Sequence, residues 1–233
     1  MLKVNEIFWS VQGEGLRSGE PSIFLRLSGC NLRCYFCDTK YAWEDGTLLP
    51  EADIIKRIRK LKEKYKTSWV VITGGEPFSQ HISSLLKKLK QKKYFIQIET
   101  NGTLVNQSSP NLKSLPESRK NMSVNEDKIS KNLSVFSYLD WITISPKPPE
   151  YRFKKVFSKL TKEVKLIVTK ELSLEVIKKM RNSFPQKTPL ILQPQSNLKW
   201  SLKKALKLIE DASKSGIRNV HLGLQFQKIY SIK

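Results

Sequence analysis

Thiols, imidazoles and acids are all scarce in this chain. Cysteine occurs three times and histidine twice in 233 residues, and the 21 acidic residues are half the 42 basic ones. Cys30, Cys34 and Cys37 are an odd set crowded into eight residues, which is a poor disulfide plan. They also fall short of the four N or S ligands of an ordinary structural zinc site. His81 precedes an apolar helical stripe and reads as a surface or satisfied core group. His221, in "NVHLGL", reads as strand filler, although it is the one imidazole with a chance of reaching a metal. Long apolar runs are missing too. No stretch approaches the roughly 20 apolar residues of a membrane span. The first residues, "MLKVNEIFWSVQGEG", lack the apolar run of a signal peptide. Clustered thiols without an export signal predict a reducing, cytoplasmic setting.

The acid deficit gives a formal charge of +21, well above the roughly 2–8 of a typical small soluble domain. Such a balance attracts nucleic acid, anionic metabolites or acidic partners. The lysines are spread along the chain, however, and no nucleic-acid-binding motif accompanies them. They read as solvated helix faces, so neither a membrane nor a direct nucleic-acid partner is expected.

What is present is a rhythm of short apolar runs and helical stripes. Ser22–Gly29, Ser68–Gly75, Tyr94–Gly102, Asp140–Lys147, Glu163–Lys170 and Pro189–Ser196 read as strands. They are near-continuous apolar runs, as expected of parallel strands covered on both faces. Ile54, Ile58, Leu61 and Tyr65 recur at helical spacing, as do Ile82, Leu85, Leu86 and Leu89. Leu174, Ile177 and Met180 make a third stripe. Leu202, Ala205, Ile209 and Ala212 make a fourth, with Gly216 placed to end its helix. The alternation predicts one α/β domain over residues 1–233 with a mostly parallel sheet. Residues 106–134 break the rhythm. They are polar, rich in Asn, Ser and Lys, and too long for an ordinary connection, so an insertion, partly mobile, is predicted.

Polar clusters follow the apolar runs: Thr73-Gly74-Gly75-Glu76-Pro77, Glu99-Thr100-Asn101-Gly102, Ser145-Pro146-Lys147 and Gln193-Pro194. Parallel α/β folds bind ligands at the carboxyl ends of their strands. With the cysteine loop after the first run, these clusters are expected to line one mouth. Three explanations compete for the loop itself: structural zinc, a redox pair within Cys34-x-x-Cys37, and an iron–sulfur cluster with one iron left open.

The Cys-x3-Cys-x2-Cys spacing, with Phe36 before the last cysteine, resembles the radical S-adenosylmethionine (SAM) superfamily. The resemblance implies a partial (β/α) barrel and a 4Fe-4S cluster on Cys30, Cys34 and Cys37. It also implies SAM on the open iron, cleaved to a 5′-deoxyadenosyl radical. It carries SAM contacts onto Phe36, Gly74, Gly75, Glu76, Glu99, Ser145, Pro146, Lys147 and Gln193. Glycine suits Gly74 and Gly75, where backbone must approach a ligand closely.

A more specific set narrows this. "SVQGEG" (Ser10–Gly15), Arg26, "CDT" (Cys37–Thr39), "TGGEP", "ETNG" and "SPKPP" occur in the order found in the 7-carboxy-7-deazaguanine synthases, which the chain resembles outside residues 106–134. That family converts 6-carboxy-5,6,7,8-tetrahydropterin to 7-carboxy-7-deazaguanine with loss of ammonia, for queuosine and other deazapurines. SAM is regenerated and Mg2+ is used. The resemblance implies a homodimer, a flavodoxin-like electron donor, magnesium at Thr39, and pterin contacts at Val11, Gln12, Gly13, Glu14, Arg26 and Thr73. Arg26 suits a planar carboxylate, because a guanidinium makes a two-pronged contact. There are departures. Gln227 stands where the family usually has a histidine, and glutamine hydrogen-bonds but cannot become cationic. The final carboxylate that the family brings to substrate would be that of Lys233. Two competing functions are a radical SAM activase that makes a glycyl radical on a partner protein, and a basic nucleic-acid-binding module with a structural metal. The first lacks use for the Gln12–Glu14 and Thr39 motifs; the second predicts zinc.

Overall fold

All six predicted strands form, each within three residues of its expected limits. The computed structural model describes residues 1–105 and 134–232. Nearly all of the predicted insertion (106–134) and the Lys233 assignment therefore lie outside the described residues. The strands are β1 (Leu2–Val11), β2 (Pro21–Leu27), β3 (Thr47–Leu49), β4 (Trp69–Gly74), β5 (Phe95–Thr100), β6 (Trp141–Ile144), β7 (Glu163–Val168), β8 (Leu190–Pro194) and β9 (Val220–Leu222). They make one sheet in the order β3-β1-β2-β4-β5-β6-β7-β8-β9. Strand β1 pairs antiparallel with β2 and β3, and every pair from β2 to β9 is parallel. The end strands β3 and β9 do not pair with each other, so this is a partial barrel.

Sequence reading missed β1 and β3, and read β9 only as the strand setting of His221. Strand β1 mixes charged and apolar residues, "LKVNEIFWSV", and owes its form to seven residues of pairing with β2 and three with β3. The predicted strands run past the observed ends because their last residues peel away from the sheet. Strand β6, for example, stops at Ile144, and Ser145 to Lys147 leave it as loop.

The helices are α1 (Glu51–Tyr65), α2 (Ser83–Gln91), α3 (Phe157–Leu160), α4 (Leu174–Ser183), α5 (Lys199–Lys214) and α6 (Phe226–Ile229). The four predicted stripes become α1, α2, α4 and α5, with Ile54, Ile58, Leu85, Leu86, Leu89, Ile177, Met180 and Ala205 buried. Helix α5 ends as predicted. Gly216 has φ +71°, Ile217 N donates to Ala212 O at 2.9 Å, and Gly216 N donates to Ser213 O at 3.0 Å. That is the Schellman pattern, in which the left-handed residue is best made by glycine.

The strands differ from expectation in one respect that matters for function. One face is apolar and joins the helices in a single core: Ile23, Leu25, Leu27, Val70, Ile72, Ile96, Ile98, Ile142, Ile144, Val164, Leu166, Val168, Leu190 and Leu192. The intervening residues, among them Arg26, Thr73, Gln97, Glu99, Thr143, Lys165 and Gln193, point the other way, because successive strand side chains alternate. The inner face of the barrel thus carries most of the polar side chains, with Phe24, Val71, Ile167 and Ile191 interspersed among them, and the outer face is the hydrocarbon core.

Candidate active site

A cavity of about 400 Å³ opens at the carboxyl ends of the parallel strands. Its wall includes the cysteine loop, the loop after β1, the ends of β4 through β8 and the start of α6. Cys30, Cys34 and Cys37 all line it, half-buried and free of disulfide. Burial pushes the Cys30 and Cys34 thiols up, and at Cys34 the neighbouring Lys147 ammonium pulls the other way. His81 and His221 are both exposed and outside the cavity, and His221 is bonded to Asn219 Oδ1 at 2.7 Å.

The cysteine loop is held from two sides. Asn31 accepts from Asn101 Nδ2 at 3.0 Å and donates to Thr103 Oγ1 at 2.8 Å, which ties the loop to the end of β5. Beneath it, Gly75 N donates to Leu27 O and Glu76 N donates to Gly29 O. A β-carbon at Gly75 would lie 2.1 Å from Gly29 O, and one at Gly74 only 1.9 Å from Leu27 O. Real side chains cannot come so close, so the glycine pair sets how tightly the loop sits on β4. The Glu76 side chain does not reach the cavity. It is fully buried, and accepts from Thr100 Oγ1 at 2.7 Å, Asn101 N at 2.7 Å and Phe78 N at 3.0 Å. Burial pushes its carboxyl up, against those three donors. The "GGEP" and "ETNG" stretches are therefore joined to each other through Glu76.

Facing the thiols is a polar network. Glu14 Oε1 accepts from Gln225 Nε2 at 2.8 Å and Gln227 Nε2 at 2.7 Å, and its Oε2 accepts from Lys165 Nζ at 2.6 Å. Burial opposes charge on Glu14, but Lys165 and the two amides win and hold it at about 2. Burial likewise opposes charge on Lys165, and Glu14 and Glu99 outweigh it, so the ammonium is held well above its ordinary value. Glu99 accepts from Gln12 Nε2 and Thr73 Oγ1, both at 3.1 Å, and lies 3.6 Å from Lys165. Gln12 Oε1 in turn accepts from Glu14 N at 3.2 Å. On the opposite flank Arg26 donates from Nε to Glu6 at 2.8 Å, and its guanidinium lies 5.9 Å from the ring centroids of both Phe8 and Tyr41. Lys147 donates to Ser145 Oγ at 2.7 Å, and burial pushes it down.

Seventeen of the twenty-one expected site residues line this one cavity. They are the three cysteines with Phe36 and Thr39; Val11, Gln12, Gly13 and Glu14; Arg26, Thr73, Gly74, Gly75 and Glu99; and Ser145, Lys147 and Gln227. Glu76, Pro146 and Gln193 lie off its wall, and Lys233 is outside the described residues. Gln193 is buried below the wall, with both amide atoms lacking a partner. Lys165 and Gln225 line the cavity and were missed. A signal for Lys165 was present: Glu163 and Lys165 are charged at alternate positions of an otherwise apolar strand, the mark of an inward-facing polar row.

A partial barrel with three free thiols at its mouth defines the class. The Radical SAM superfamily model matches residues 25–197 of this chain. Among curated proteins, the 7-carboxy-7-deazaguanine synthase of Aquifex aeolicus is 34% identical over 100% of this chain and 95% of its own length. That of Buchnera aphidicola subsp. Schizaphis graminum is 30% identical over 99% and 98%. The crystal structure of QueE from Escherichia coli superposes with a TM-score of 0.68 at 25% identity, covering 96% of this chain and 93% of that one. The chain belongs to the 7-carboxy-7-deazaguanine synthase family of radical SAM enzymes.

The superfamily's 4Fe-4S cluster and SAM fit the residues present. Among the described residues, no three His, Cys, Asp or Glu side chains converge on a single metal ion. A cluster binds each thiolate to a different iron, so the sulfurs need not meet at a point. No fourth imidazole or thiol reaches the cavity to close the set. Gly74 and Gly75 contribute backbone to the cavity wall beside the loop.

Proposed function

We propose that the chain converts 6-carboxy-5,6,7,8-tetrahydropterin to 7-carboxy-7-deazaguanine with loss of ammonia, in queuosine or another deazapurine pathway. The observation that carries this is the meeting, in one cavity, of three thiols with a facing set of acceptors. Gln195, Gln225 and Gln227 bring carboxamide groups to its lining. Glu14 and Glu99 are carboxylates on the same wall. A pterin edge rich in N–H donors suits such a wall, because each buried acceptor left unpaired costs about 1–3 kcal/mol.

Cys30, Cys34 and Cys37 would hold the cluster, with Phe36 and the backbone at Gly74, Gly75 and Glu76 around the SAM methionine and adenine. Glu99 is suited to ribose hydroxyls, with Ser145, Pro146, Lys147 and Gln193 completing that side. When bound, cluster and SAM supply a hydrogen-abstracting radical, and the protein's part is to place and shield it. The terminal nitrogens of Arg26 take the substrate carboxylate in a two-pronged contact. Val11, Gln12, Gly13, Glu14 and Thr73 hold the pterin, and Gln227 anchors Glu14 where the family usually has histidine. The Lys233 carboxylate is assigned to the substrate by the family resemblance. Thr39 would offer Mg2+ a hard hydroxyl oxygen. The resemblance also carries a homodimer, a flavodoxin-like donor, a cytoplasmic location, and a single domain with residues 106–134 inserted. No helix among the described residues is long and apolar enough to cross a membrane.

The test is an anaerobic assay of reconstituted protein with SAM, reductant, Mg2+ and 6-carboxytetrahydropterin, read by product mass. The expected product is 7-carboxy-7-deazaguanine without net loss of SAM and without a partner protein. Zinc in place of iron and sulfide, or no product, defeats the assignment. Thr39→Ala is expected to lose the magnesium stimulation; full activity with unchanged magnesium dependence removes Thr39 from that role.

A further inference from the structure

Lys165 is a buried cation that reaches across the barrel. It sits on β7, two strands from β5 and five from β1 in the sheet order. Its ammonium is nonetheless 2.6 Å from Glu14, in the loop after β1, and 3.6 Å from Glu99 on β5. Only 7% of its side chain is exposed. The neighbouring inward residue of the same strand, Glu163, supports the same loop from below: it accepts from Leu16 N at 2.7 Å and Thr143 Oγ1 at 2.7 Å. Strand β7 thus holds the "QGEG" loop at two points.

We propose that Lys165 is a positioning residue that fixes Glu14 and Glu99 together, so that one ammonium sets both the pterin side and the SAM side of the site. This rests on the assignment of those two sides made above. The valences support it. A carboxylate offers about four acceptor positions. Two of those on Glu14 are taken by Gln225 and Gln227 and one by Lys165, which leaves one, in a fixed direction, for a ligand. Glu99 and Glu14 are also joined through Gln12, which donates to the first and accepts from the backbone of the second. A cation between two such carboxylates favours both staying ionised; Arg17 also acts on Glu99, and Lys147 on Glu14. The charged groups facing Lys165 are Glu14, Glu99 and Glu163, with Lys147 acting against it from the segment after β6. Without Lys165 the two carboxylates share a buried space, and one takes up a proton at mildly acidic pH.

The test uses cluster-reconstituted protein under anaerobic conditions. The probes are 6-carboxypterin, followed by its fluorescence, and SAM, followed by equilibrium dialysis, between pH 5.5 and 7.5. Wild type is expected to bind both with affinities that are flat in pH. Lys165→Met is expected to bind each at least tenfold more weakly at pH 5.5, with the deficit shrinking as pH rises. Lys165→Arg keeps the cation and is expected to restore the flat profile. Wild-type affinities in Lys165→Met, or a loss equal at every pH as from a packing defect, overturn the proposal. Should that variant fail to fold, Lys165→Met with Glu14→Gln removes both members of the closest pair. It leaves Glu99 without a like charge beside it, so SAM binding is expected to be flat in pH; an acid-side weakening for SAM that persists in this double variant overturns the proposal. A wild type that binds SAM but not 6-carboxypterin defeats the substrate assignment alone, and the SAM measurements still decide the role of Lys165.

Discussion

On β7, Val164, Leu166 and Val168 are sealed in the apolar core, while Glu163 and Lys165 between them face the barrel interior and Ile167 lines the cavity. The same six residues build both halves of the protein. The outer row is redundant: any residue of about the right size and hydrophobicity keeps the helices attached. The inner row is not. Glu99, Thr143, Glu163 and Lys165 each have named partners, and losing a partner strands a buried charge or polar group.

Breaking the outer row is expected to cost the most stability and the least chemistry. Leu166 is fully buried, and Leu166→Ala is expected to lower unfolding free energy by about 2–5 kcal/mol. Urea denaturation measures this. SAM affinity of the folded fraction should stay within about twofold, since no inner-row group moves; a larger loss would mean that the two faces are not independent.

The inner row is expected to show itself through pH. Glu14 is held at about 2, against an ordinary 4.5, by Lys165 and two amides. A depressed carboxyl stabilises the fold fully above its ordinary value, and that stabilisation is lost as pH falls toward 2. The loss is expected to be on the order of 3 kcal/mol. Urea midpoints from pH 6 to 3 should fall in wild type and fall less steeply in Glu14→Gln. Parallel curves would show that the pairing contributes nothing to stability.

The smallest effect should come from a site belonging to neither row. Gly216 has φ +71° and no atom within 4 Å of where a β-carbon would stand. Gly216→Ala therefore tests backbone strain without a clash, and about 1 kcal/mol is expected. Thermal melting measures it, and turnover should be unchanged.

Much of the architecture was legible in the chain. The six parallel-sheet strands and four helices follow from apolar runs and helical stripes, and the Gly216 stop follows from its place after Ala212. Strands β1 and β3 were not legible, because pairing at that end of the sheet rather than composition makes them. The cysteine loop, the glycine pair and the loop after β1 were found as motifs, since each is local and each residue type has few other uses there. Gln225 was passed over because its partner Glu14 is 211 residues away. Lys165 and Glu163 carried an alternating signal, but their strand was read as one of the near-continuous apolar runs.

The sequence by itself determined which residues make strands and helices, and that three thiols lie in one loop, because spacing and residue type act locally. Only the tertiary structure decided which strand face is hydrocarbon and which is polar. It alone turned the Glu76 carboxylate inward to join two loops, and it alone set Lys165 between Glu14 and Glu99. Those outcomes depend on curling the sheet into a barrel, which brings charges from distant segments within ångströms and makes their burial tolerable only as partners.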